Sequence, residues 1–372
     1  MSALFKGYYQ TDLTMRLKRT GVMCLLFSLC FLAGHAQQTA DYQERIKMIN
    51  ANINKVFYNE KTGLYIETNG KNEKPHSYLW PLCALMQAEN EAEATLSEKE
   101  LLKPVLNAIA KYKNNNPPAS GYQAYVTKEQ KDSRFYDDNQ WIAIAALDAY
   151  ERTKNPSYFK LAEEIYTFMM TGYDQKSGGG LYWKEDEKNT KNTCSNGPGI
   201  LVALQLYKIN KKPEYLNTAL DLYAWTNKHL RAPDGTYWDA IKIPDMKIDS
   251  AKYTYNTGTM LQSNVLLYEI TKEDKYLKEA NQIAGAARDF FYVDNKLPGN
   301  YWFNVVLLRG YEALYKVNKD KSIFSFFVDD AERIWKEERD ENNLMGRKSE
   351  KTLIDQGAMV EMYARLARLT KE

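Results

Sequence analysis

The stretch PEYLNTA, residues 213–219, decides the architecture because it is one of three copies. PSYFKLA at 156–162 and DKYLKEA at 274–280 share its Tyr-(Phe/Leu)-x-x-Ala core, and the copies recur about every 57 to 61 residues. Each opens a run of helical periodicity behind a short polar turn: Lys154-Asn155-Pro156, Asn210-Lys211-Lys212-Pro213 and Thr271-Lys272-Glu273-Asp274. Pro156 and Pro213 suit the first position of a helix, where the missing N–H has no partner to lose. A period of this length marks stacked helical hairpins.

Working outward, helical periodicity fills the chain beyond residue 40, and strand-like alternation is nearly absent. Start and stop signals predict twelve helices, at 41–58, 78–92, 97–115, 138–153, 156–172, 195–211, 213–231, 255–271, 273–292, 301–318, 321–338 and 352–370. Gly63-Leu64-Tyr65, Gly180-Leu181-Tyr182-Trp183 and Gly235-Thr236-Tyr237-Trp238 repeat a second motif after odd-numbered helices. Odd helices, such as 161–170 and 219–229, keep a charged face, whereas even helices, such as 141–149 and 199–207, are apolar nearly all round. This division predicts an all-α fold, six hairpins closed into an (α/α)6 barrel of two concentric rings, forming one domain over 37–372. The long connections at 59–77, 116–137, 173–194 and 232–254 then gather at one end, where binding and catalytic groups usually sit.

The first 36 residues read as a secretory leader. Met15-Arg16-Leu17-Lys18-Arg19 is a basic n-region, residues 21–33 form an apolar core, and Gly34-His35-Ala36 offers a small-residue cleavage site. Met15 is an alternative start. The apolar core is shorter than the roughly 20 residues that span a bilayer, so export without a membrane span is expected. Losing residues 1–36 removes Lys6, Arg16, Lys18, Arg19 and Asp12 from 50 basic and 48 acidic residues. The near-neutral remainder carries no electrostatic footprint for nucleic acid. Only Cys83, Cys194, His76 and His229 then remain of their kinds. That set fits no metal motif, no Ser-His triad and no disulfide framework. No cofactor or metal is expected, a monomer is, and carboxylates, amides and aromatics must carry any chemistry.

In such a barrel the N-terminus of every even helix points to the long-loop end. The residues there are Tyr78-Leu79-Trp80, Tyr136-Asp137-Asp138-Asn139, Cys194-Ser195-Asn196-Gly197, Tyr253-Thr254-Tyr255-Asn256, Asn300-Tyr301-Trp302 and Asp355-Gln356. Singly, the polar ones read as helix caps stabilising by about 1 kcal/mol each. Together they suit a sugar, whose hydroxyls need fixed donors and acceptors and whose ring faces need aromatic platforms. Trp80, Tyr136, Asn139, Ser195, Asn196, Tyr255, Asn256 and Trp302 are accordingly the candidate substrate-binding residues. Asp137 and Asp138 are the candidate catalytic pair, because a cap needs one carboxylate and glycoside hydrolysis needs two. Two adjacent acids also split in proton affinity, leaving one ionised while the other keeps its proton.

Phe135-Tyr136-Asp137-Asp138-Asn139-Gln140-Trp141, followed by Ala145-Ala146-Leu147-Asp148-Ala149-Tyr150, resembles glycoside hydrolase family 76, the endo-α-1,6-mannanases. So do Tyr78-Leu79-Trp80-Pro81-Leu82, Gly178-Gly179-Gly180-Leu181-Tyr182-Trp183 with Ser195-Asn196-Gly197, Thr254-Tyr255-Asn256-Thr257-Gly258, and Gln356-Gly357-Ala358. The resemblance implies an (α/α)6 barrel and retaining hydrolysis of α-1,6-linked mannan, with Asp137 matching the nucleophile and Asp138 the acid/base. Two other readings stand beside it: a transglycosidase of the same family, and a catalytically silent mannan-binding protein.

Overall fold

The computed structural model describes residues 38–371, and the leader expected at 1–36 lies outside the described residues. Twelve α-helices run through them: α1 (residues 38–52), α2 (Leu79–Leu96), α3 (Leu102–Ile109), α4 (Tyr136–Thr153), α5 (Pro156–Met170), α6 (Thr193–Asn210), α7 (Pro213–Leu230), α8 (Thr254–Thr271), α9 (Asp274–Phe291), α10 (Tyr301–Asn318), α11 (Ser325–Glu337) and α12 (Leu353–Lys371). The even helices pack in sequence, α2 on α4 and so on to α10 on α12, and α12 returns to α2. The inner ring is therefore closed. Each of α3, α5, α7, α9 and α11 lies against an even helix from outside. Helix α1 seals the seam, with Arg45 paired to Glu332 of α11 and Tyr42 stacked on Tyr363 of α12.

Burial follows the sequence pattern. Helix α6 is buried from Thr193 to Leu204 without a break, whereas α5 buries only the stripe Ala162, Ile165, Phe168 and Met169. Helices α8 and α10 approach closely because Gly258 and Gly310 face each other's backbones. A Cβ on Gly258 would meet the Leu307 Cα at 2.6 Å, and one on Gly310 would meet the Gly258 carbonyl oxygen at 2.8 Å.

Four inner helices end by one device. Lys154, Lys211, Lys272 and Lys319 each adopt a left-handed conformation, and each donates its N–H to a tyrosine carbonyl four residues back. Each ammonium then lies 5.2 to 5.9 Å from the centre of that same tyrosine's ring. Glycine is the usual residue at such a cap. Here the hydrogen bond and the cation–π contact offset the strain of a side chain there.

Two expectations are corrected. Helix α3 is far shorter than 97–115. Glu93 Oε1 accepts the Leu102 N–H, Pro104 sits in the first turn, and past Tyr112 the chain leaves as a strand, β3 (Lys113–Asn114), paired with β4 (Gly121–Tyr122). Strands are also more prominent than the sequence suggested. The hairpin β6 (Trp238–Lys242) and β7 (Ile248–Lys252) joins β5 (Thr190–Asn192) in an antiparallel sheet at the long-loop end. Its Lys and Asp residues gave it the look of a polar loop.

Below the long-loop end the barrel axis holds a buried ion network. Arg365 pairs with Glu91, Glu312 and Glu361, and Arg309 grips Glu361 through two 2.7 Å hydrogen bonds. The Arg309 guanidinium sits 5.4 Å from the centre of the Trp141 ring. That contact ties the network to the floor of the cavity described next.

Candidate active site

The first residues of the inner helices share one register, and the register sorts their roles. The second residues are Trp80, Asp137, Cys194, Tyr255, Trp302 and Ile354. Four of these, Trp80, Asp137, Tyr255 and Trp302, line a cavity of about 420 Å³ at the barrel mouth. Asp138, Trp141, Trp183, Phe135, Phe303, Tyr78, Ala124 and Asp132 complete its walls. Trp302 is the aromatic hub, meeting Trp80 edge-on at 5.8 Å and Trp141 at 5.2 Å. No helix among the described residues is long and apolar enough to cross a membrane.

The fourth residues do something else. Asn139 accepts the Tyr122 N–H at 2.7 Å and donates to the Tyr122 and Phe135 carbonyls at 2.8 and 2.7 Å. Asn196 repeats this with Leu181 and Asn192, and Gln356 repeats it with Met345 and Thr352. Thr257 accepts the Tyr237 N–H in the same way. Each is a clamp that fixes the incoming loop to its helix. Asn139 and Asn196 are fully buried with their amides committed to backbone, so the structure places neither in the cavity. Tyr136 is also buried, packed on Phe168 and bonded to Thr171 behind the helix. Ser195 and Asn256 are buried beside the mouth, and neither lines the cavity.

The paired acids lie in the first turn of α4, where free backbone N–H groups favour negative charge. Trp183 donates its indole N–H to Asp137 Oδ2 at 3.3 Å, while Asp137 Oδ1 is enclosed without a hydrogen-bond partner of good geometry. Burial pushes the Asp137 carboxyl up to about 6, and the Cys194 thiol, the Trp183 indole and nearby backbone N–H groups restrain the rise. Asp138 has no such donors. Burial, reinforced by the Asp137 charge, lifts it well above the usual carboxylate range. The two neighbours are thus poised in different protonation states near neutral pH. Cys83 and Cys194 are both free and buried, and Cys83 donates its thiol to the Asp138 carbonyl at 3.3 Å.

Several residues escaped the sequence reading: Trp183, Phe303 and Asp132, which line the cavity, and Asp239 beside it. A signal for three positions lies in the clamps. Two residues beyond clamped Tyr122, Leu181 and Tyr237 come Ala124, Trp183 and Asp239, the alternation of an extended strand. Asp239 accepts from Asn256 Nδ2 at 3.1 Å, and its proton affinity is raised by burial. Buried polar atoms without a partner also collect here: Asp137 Oδ1, Ser195 Oγ, Asn192 Oδ1, Asn256 Oδ1 and Trp302 Nε1. Among the described residues no group of three or more His, Cys, Asp or Glu side chains is arranged to hold a metal ion.

Fold and site define a double-ring helical barrel with paired carboxylates in an aromatic cavity. The model of glycosyl hydrolase family 76 matches residues 41–330, and the chain belongs to that family. It is 29% identical over 184 residues to the mannan endo-1,6-alpha-mannosidase DCW1 of Saccharomyces cerevisiae, a match covering 45% of this chain and 41% of that one. The chain thus spans less than half the length of that relative. A family 76 α-mannanase from Bacteroides thetaiotaomicron superposes with a TM-score of 0.82 at 25% identity, covering 88% of this chain and 95% of that one. An inactive α-1,6-mannanase of Salegentibacter sp. HEL1_6, with two consecutive aspartates changed to asparagine and α-1,6-mannotriose bound, superposes at 0.75 and 24% identity over 88% and 99% of the two chains.

Proposed function

We propose that this chain is a retaining endo-α-1,6-mannanase acting through Asp137 and Asp138. The observation that carries the reading is the pair itself. Two neighbouring acids at one helix start share an aromatic cavity, one furnished with donors and the other without. Asp137, the member held closer to ionisation, is the nucleophile. Its carboxylate bonds to C1 of a mannose unit as the C1–O6 bond breaks, and Asp138 gives its proton to the departing O6. In the second step water attacks C1, Asp138 takes a proton from that water, and the bond to Asp137 breaks. Two inversions restore the original anomeric configuration. Consecutive Cα atoms stand about 3.8 Å apart, which suits the short carboxylate separation of retaining enzymes, about 5–5.5 Å.

The substrate class draws on three supports. Two orphaned polar atoms on cavity-lining residues, Asp137 Oδ1 and Trp302 Nε1, match a ligand rich in hydroxyls. Trp80, Tyr255 and Trp302 supply apolar faces for sugar rings. The yeast relative is named for endo cleavage of 1,6-linked mannan, and the inactive bacterial enzyme was altered at two consecutive aspartates. Residues 1–36 act in this reading as a leader that exports the enzyme to where mannan is met.

Turnover of linear α-1,6-mannan by the wild type, Asp137→Asn and Asp138→Asn tests the assignment, with products sized at early times. A spread of intermediate lengths from the wild type and a loss of roughly 10²–10⁴-fold in each variant are expected. Retained turnover in either variant removes the role given to that residue. Products longer than the starting sugar indicate transfer rather than hydrolysis, and tight binding without cleavage indicates a silent binding protein.

A further inference from the structure

The aromatic wall continues past the cavity. Phe303 stacks on Tyr255 with ring centres 4.0 Å apart, and Tyr253 meets Phe303 at 5.7 Å and Tyr255 at 6.0 Å. Tyr255 is buried, whereas Tyr253 is 40% exposed. Tyr253 immediately precedes α8, and the residues in the same register before α2 and α4 are Tyr78 and Phe135, which both line the cavity. None of the three makes a side-chain cap bond. Placing an aromatic there forgoes about 1 kcal/mol that Ser, Asp or Asn would supply, as Asn300 does before α10 by accepting the Phe303 N–H, so before α2, α4 and α8 the position serves the mouth rather than the helix. Lys252, the neighbour of Tyr253 in sequence, is engaged by Asp234 and lies over Phe290, 4.4 Å from its ring centre. The exposed Tyr253 ring thus carries no contact with the ammonium of its neighbour in the chain, and its face is open.

We propose that Tyr253, backed by Phe303, is an outer sugar platform that stacks on a further unit of a neutral polysaccharide chain running out of the cavity. The substrate is the one named under the proposed function, and the inference rests on that reading. It makes this enzyme favour long, uncharged chains, because each unit laid on an aromatic ring adds binding that a short substrate cannot reach.

The test compares kcat/KM for an α-1,6-linked mannotriose and a hexasaccharide of the same linkage, in the wild type, Tyr253→Ala and Tyr253→Phe. Calorimetric binding of the hexasaccharide and thermal melting accompany the kinetics. The long-to-short preference is expected to fall about tenfold in Tyr253→Ala and to stay within about twofold in Tyr253→Phe, which keeps the ring. A preference unmoved by Tyr253→Ala, or lost equally in Tyr253→Phe, overturns the platform. If the wild type cleaves neither sugar but hexasaccharide affinity still depends on the Tyr253 ring, the platform stands and the mannanase reading falls. If the wild type neither cleaves nor binds, both fall.

Discussion

Replacing Asn139 by alanine separates a scaffold clamp from a sugar ligand. The amide makes three hydrogen bonds of 2.7 to 2.8 Å inside the protein, to the Tyr122 N–H, the Tyr122 carbonyl and the Phe135 carbonyl. The Phe135 carbonyl keeps the Asn139 N–H, at 3.4 Å, after truncation. The two Tyr122 groups lose their partner. Each buried orphan costs about 1–3 kcal/mol, so the variant loses about 4 kcal/mol. By the size scaling of melting, that corresponds to a fall on the order of 10 °C. Urea unfolding followed by tryptophan fluorescence reads the loss, and KM on mannan is measured well below the melting range. Asn139→Asp is expected to be no milder. It keeps the acceptor for Tyr122 but turns an oxygen toward two carbonyls and brings a third acid beside Asp137 and Asp138. A loss below about 1 kcal/mol accompanied by a large rise in KM refutes the clamp and returns Asn139 to the sugar site.

Three further outcomes follow from the geometry. Because Asp138 keeps its proton in the fold to a higher pH than in the unfolded chain, its contribution to stability falls as pH rises above about 4. Asp138→Asn removes that dependence, so its melting point exceeds the wild type's at pH 7 and the gain shrinks toward pH 4. The acid limb of kcat/KM is set by Asp137, near pH 6, with activity lost as pH falls through it. Cys194→Ser, a stronger donor to Asp137, moves that limb down and Cys194→Ala moves it up; a pH–rate profile that is the same in both variants contradicts the contact. Arg365→Leu leaves Glu91, Glu312 and Glu361 short of their shared partner. Denaturant unfolding should show a loss of roughly 3–5 kcal/mol.

The repeat at 156, 213 and 274 made the barrel legible, because it records helix starts, tight turns and an alternation of charged and apolar faces that favours two nested rings over an open stack. What stayed hidden was register. In sequence Asp138-Asn139 and Ser195-Asn196 look like equivalent polar pairs at a helix start. In space one residue of rotation decides whether a side chain meets the cavity or the clamp, which is why Asp137 and Trp302 line the mouth while Asn139 and Asn196 serve the scaffold. Trp183 and Asp239 were missed for a related reason. They sit between helices, Trp183 in a loop and Asp239 in strand β6, and their direction is set by clamps on α6 and α8 that no local periodicity announces. The α3 boundary failed because Glu93, a residue of the preceding helix, fixes where α3 begins.

The most direct test of the paired-acid account is the anomer first released from an α-1,6-manno-oligosaccharide, followed by proton NMR before mutarotation sets in. Double displacement through Asp137 and Asp138 predicts that the α-anomer appears first and then equilibrates. Initial release of the β-anomer contradicts it, since a single inversion leaves no place for a sugar bonded to Asp137.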